Sequence, residues 1–136
     1  MSKFITLLFS LLLLTTHPAF GNAPTRVIDS QGILETIDGH VLAIRENNLA
    51  KAYGYTSRDY RRNTSFIEFQ ELVKLVPVLY NNKSISMQGL GEKDGSWIYC
   101  GTLTSNSGDV YNVEYYVVKE NKKWRIMGMY LQEVRK

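Results

Sequence analysis

His40 is the first side chain in this sequence to weigh as a chemical group. An imidazole beside an apolar helix stripe can act as a general base, because modest changes in environment move its pKa across neutrality. Its neighbours three and four residues away are Thr36, Ile37, Ala43 and Ile44, none of them charged. No acid is therefore placed to orient the ring, and a histidine at the edge of the core is the plainer reading. Tyr53, Tyr55 and Tyr60 surround three cations, Arg58, Arg61 and Arg62. Such a cluster could hold an anionic ligand or stack on a planar one. It could equally be a solvated turn whose tyrosine rings pack inward. Glu114 beside Tyr116 pairs a carboxylate with a phenol, a combination able to share a proton, but strand alternation points Glu114 away from the core. Cys100 reads as a small buried hydrophobe rather than a reactive thiol. Trp97, Tyr99, Tyr115 and Trp124 could line a cavity, or simply fill the core. The pocket candidates are His40, Tyr53, Tyr60, Trp97 and Tyr115.

The same inventory excludes a good deal. His17 falls in an N-terminal leader, so His40 is the only histidine beyond it. A zinc site with two histidines from one chain is then impossible, and a Ser-His-Asp arrangement could use only His40. No glycine-rich phosphate loop and no Cys-x-x-Cys pair is present, and Cys100 has no partner within the chain. No metal or cofactor is called for. The formal charge of +3 falls to +2 once Lys3 is removed, too mild a balance to draw nucleic acid strongly.

The leader sets the address. Met1-Ser2-Lys3 is a short basic start, Phe4 to Leu14 is apolar apart from Thr6 and Ser10, and Ala19-Phe20-Gly21 offers small residues around a cleavage point. The apolar run is about half of the ~20 residues a bilayer span needs. Residues 1–21 are thus expected to be a signal peptide and residues 22–136 one exported domain, periplasmic or secreted, without a stable membrane span.

The elements that must position these side chains run helices first, strands second. Ile33, Ile37, Val41 and Ile44 recur at helical spacing and predict a helix from about Gln31 to Glu46, weakened by Gly32 and Gly39. A short helix over Leu49 to Tyr55 follows the Asn47-Asn48 break, and Ser57 can cap another turn through Arg61. Ser65-Phe66-Ile67-Glu68 is a capping box that opens an amphipathic helix ended by Pro77. From Asn81 the period changes to two, and four strands separated by short polar loops predict an antiparallel meander. Tyr111, Val113, Tyr115 and Val117 form the row that should face the helices. In the last strand both rows are apolar: Trp124, Ile126, Gly128, Tyr130 and Arg125, Met127, Met129, Leu131. Tyr116, Met127, Met129 and Leu131 are then expected on the outer face, where a second copy of the chain could cover them. The fold class is α+β, with N-terminal helices on one face of a curved four-stranded antiparallel sheet.

Two segments carry a resemblance. Ala43-Ile44-Arg45-Glu46-Asn47-Asn48-Leu49-Ala50-Lys51-Ala52-Tyr53 steps from one helix to another at a polar hinge, and Lys122-Lys123-Trp124-Arg125-Ile126-Met127-Gly128-Met129-Tyr130 is similar to the last strand of many small exported proteins. The pattern over about Ile28 to Leu131 resembles the nuclear-transport-factor-like, cystatin-like α+β cone. That resemblance implies a pocket between helices and sheet, and dimerisation through the sheet. The superfamily holds isomerases, dehydratases, hydrolases and non-catalytic binding modules, and no catalytic motif of its enzymes matches here. The expectation is a non-enzymatic module that binds a protein partner or a small apolar ligand. The alternative is a small lyase, isomerase or hydrolase with His40 as base and Tyr53 or Tyr60 as donor.

Overall fold

Each helix begins at a side-chain cap that the local sequence supplies. The computed structural model describes residues 4–6, 29–93 and 96–135. Helix α1 spans Ser30–Arg45, and the Asp29 carboxylate accepts from the Gly32 N–H at 2.9 Å. Asn48 caps α2 (Leu49–Gly54) and Ser57 caps α3 (Arg58–Asn63) in the same way. Asn47 enters the left-handed region at φ 57°, which turns the chain between α1 and α2. Helix α4 (Phe66–Leu75) opens on the expected capping box, with both reciprocal bonds of Ser65 and Glu68 formed. A 3-10 turn at Pro77–Leu79 then leads into the sheet.

The meander follows as β2 (Asn82–Lys93), β3 (Ser96–Ser105), β4 (Val110–Glu120) and β5 (Lys123–Glu133). Its strands pair antiparallel in sequence order, with a short β1 (Phe4–Thr6) beyond β5. Strand β1 was not expected, since those residues belong to the predicted leader; it pairs Ile5 with Leu131. The rest of that leader and its cleavage point lie outside the described residues. Asn121 and Lys122 have φ of 47° and 67°, the double left-handed geometry of the two-residue turn that joins β4 to β5.

The core forms where the stripe of α1 meets the concave face of the sheet. Ile33, Ile37, Val41 and Ile44 are buried against Val113, Tyr115, Val117 and Ile126. Tyr111 packs on the rim of this cluster, so the whole inward row of β4 faces as its alternation predicts. Gly39, a weak helix former, lies where Tyr55 rests on α1: a β-carbon there would stand 2.5 Å from its hydroxyl oxygen.

Register shifts set which residues share a face. In β5, Ile126 pairs with Val117 and Gly128 with Tyr116, so Met127 is the extra residue. Trp124 and Ile126 point inward before it, and Met129 and Leu131 after it. Met129 and Leu131, expected on the outer face, are therefore core residues at 6% and 3% exposure. The bulge explains why both rows of this strand are apolar. Tyr116 and Met127 stay half-buried, outside the core cluster. The register of β2 against β3 shifts twice more, between Asn82 and Ser84 and between Met87 and Gly89. Cys100 is a further correction. It is exposed on the outer face, because β3 turns Leu103, Gly101, Tyr99 and Trp97 inward.

Candidate functional site

Among the described residues, a small cavity of about 30 Å³ lies among α1, α3, α4 and β5, lined by His40, Tyr60, Phe69, Leu72, Val73 and Met129 among others. That is room for a water molecule or two, far below the ~300 Å³ of a typical small-molecule site. His40 and Tyr60 are the two pocket candidates that line it. Tyr115 packs its ring edge-on to His40, with centroids 6.0 Å apart. Tyr53 stacks against Phe66 and Phe69, and its hydroxyl donates to the Thr64 carbonyl at 2.6 Å, so that group is committed. Trp97 packs against the core from β3 without reaching the cavity.

Burial governs the titration of these groups. His40 is 4% exposed, and desolvation alone lowers its pKa from 6.5 to about 4. Among the described residues its Nδ1 finds no hydrogen-bond partner. Tyr60 is pushed up to about 12, chiefly by burial, and Tyr115 is raised as well for the same reason. His40 is therefore a neutral ring among neutral rings. The capacity to accept a proton is there, but a base held near 4 is a weak one at neutral pH.

The outer face of the sheet carries a different set. Tyr116 donates to Glu114 Oε2 at 3.0 Å, and the register places Cys100 and Tyr130 on either side of Glu114. Burial, then the Glu114 charge, raises the Cys100 thiol, the wrong direction for a reactive thiolate. Ile98, 8% exposed, lies opposite Tyr116 in the ladder.

The arginine cluster separates into parts. Arg62 pairs with Asp59 at 3.3 Å in an exposed bridge. Arg61 turns back instead, its Nη1 donating to the Thr56 carbonyl at 2.7 Å and reaching the Gly54 carbonyl at 3.5 Å. Arg125 reaches that same Gly54 oxygen from β5 at 3.0 Å. The carboxylate of Glu120 accepts from the Arg58 backbone N–H. Sequence reasoning missed Arg125 as a member, because nothing local ties a residue late in the chain to a helix corner far earlier. Among the described residues, no three His, Cys, Asp or Glu side chains gather as a metal set would.

Four helices followed by a curved antiparallel meander define an α+β protein of helix-on-sheet build. Residues 26–136 match the family described as a domain of unknown function, DUF4864, and the chain belongs to that family. No curated protein matches the chain. Among the described residues, no helix is long and apolar enough to cross a membrane.

Proposed function

We propose that this is an exported, non-enzymatic interaction module of the nuclear-transport-factor-like type that works through its surface. The observation that carries this reading is the small space beside His40, which amounts to about 30 Å³ and has no acidic residue in its lining. A pocket enzyme would need room for a substrate and an acid or base tuned near working pH. Here the sole histidine of the domain is desolvated, and the Tyr53 hydroxyl is already spent on a backbone carbonyl. The export component rests on the leader pattern of residues 1–21.

The outer sheet face is the surface to which we assign the contact. It offers the half-buried Tyr116, Met127 and Tyr130, with Ile98 beneath them at 8% exposure and open space at Gly89 and Gly91 of β2. A second copy of the chain, related by a two-fold axis, is a natural occupant of such a face. Light scattering on the purified protein tests this, with Tyr116→Arg and Tyr130→Arg as the disrupting pair. A dimer that both substitutions reduce to monomer is the expected result. Affinity capture from the native envelope tests the wider reading: a partner lost from the double variant supports it, and turnover abolished by His40→Gln in any activity screen overturns it.

A further inference from the structure

We propose that the corner between α2 and α3 is an oxyanion site in which Arg61 and Arg125 grip a phosphate group. The inference is independent of what occupies the outer sheet face. Two guanidinium groups from distant parts of the chain converge on one carbonyl oxygen, that of Gly54. Like charges brought this close repel, and a neutral carbonyl does not cancel two of them. Among the described residues neither arginine is in an ion pair, whereas the adjacent Arg62 has Asp59. The chain thus supplies a counter-charge to the outermost arginine and leaves the two half-buried ones without one.

The donor geometry points to the ligand. A guanidinium carries five N–H donors in a planar fork. In both residues the bonds to the chain use only Nη1, so Nε and Nη2 of each remain available. Two forks side by side match the several oxygens of a phosphate better than the two of a carboxylate. Lys122 and Lys123 at the tip of the neighbouring hairpin add to the positive potential. Glu120, the carboxylate that reaches this corner, is tied to the Arg58 backbone and opposes it only in part. If the arginines merely fastened the end of α2 to β5, the same bonds would form but no anion would respond.

The test titrates the purified protein with inorganic phosphate at constant ionic strength, and follows backbone amide shifts at Gly54, Thr56, Arg61 and Arg125. Saturable shifts at these positions are expected, weakened by about tenfold or more in Arg125→Gln and by less than about twofold in Arg62→Gln. Arg125→Lys keeps the charge while removing the fork, and stands in if the glutamine variant does not fold; it too should weaken binding. Sedimentation with vesicles of phosphatidylglycerol and phosphatidylcholine, against phosphatidylcholine alone, separates the sources. Retention on the anionic vesicles that Arg125→Gln abolishes makes the phosphate a lipid headgroup, and phosphate binding without retention makes it a soluble one. Absence of a saturable response to both probes, or equal losses in Arg62→Gln and Arg125→Gln, overturns the site.

Discussion

Acidification should destabilise this protein through His40. Its pKa falls from 6.5 in the unfolded chain to about 4 in the fold, and the cause is desolvation. Tyr115 packs edge-on to the ring and Tyr60 lines the same cavity; both are raised and so uncharged across the range concerned, and no carboxylate lines the cavity. Between pH 6.5 and 4 the unfolded chain therefore binds a proton that the fold refuses. Stability is full above about 6.5 and declines as the pH drops toward 4. A shift of this size at about 1.4 kcal/mol per pKa unit amounts to roughly 3 kcal/mol, a large fraction of the stability of a domain this small. Urea denaturation at a series of pH values gives the wild-type profile. His40→Gln gives the profile without the titrating ring, so the carboxylates common to both cancel in the difference. The variant should lose about 3 kcal/mol less than the wild type between pH 7 and 4. Parallel profiles, or an imidazole that titrates near 6.5 by NMR in the folded protein, would refute the reasoning.

Leu131→Ala should cost about 2–5 kcal/mol by denaturation and Met127→Ala under about 1, because the bulge puts only the former in the core; the reverse order would show that the register is wrong. Gly101→Ala should destabilise by about 1–3 kcal/mol, since a β-carbon there would come within 2.9 Å of the Met87 Cα and the neighbouring strand backbone cannot yield easily. An unchanged urea midpoint would contradict that close approach. Ser65→Ala should cost about 1 kcal/mol by removing the side-chain half of the capping box, and Glu68→Gln much less, since an amide oxygen can still accept from the Ser65 N–H.

The helices were legible because their signals are local. Ser65 and Glu68 sit three residues apart and need nothing else, and the stripe from Ile33 to Ile44 shows its buried side through spacing alone. The inward row of β4 could be read for the same reason. Strand β5 could not, because a bulge is a relation between two strands. Nothing around Met127 marks it as extra until Tyr116 and Val117 are seen to pair on either side of it. That single residue moved Met129 and Leu131 from the expected surface into the core. Cys100 was misplaced by its apolar character, which says little about a residue on the solvent side of a sheet. Of the candidate site, His40 was recognisable as a neighbour of the apolar stripe and Tyr60 as a ring beside the arginine cluster, but the size of the space between them depends on how completely the side chains of four elements fill it. Arg125 joins Arg61 only through tertiary contact.

The backbone at the helix corner has a mechanical consequence. Ser57 donates to the Ile126 carbonyl at 2.8 Å and Ile126 donates to the Tyr55 carbonyl at 2.9 Å, so the loop between α2 and α3 is itself hydrogen-bonded to the flank of β5. Melting that loop means peeling one residue from the sheet, and fraying β5 at Ile126 means releasing the loop. The helical layer is thereby denied an opening of its own, and the domain is built to come apart as a single cooperative unit rather than in two layers.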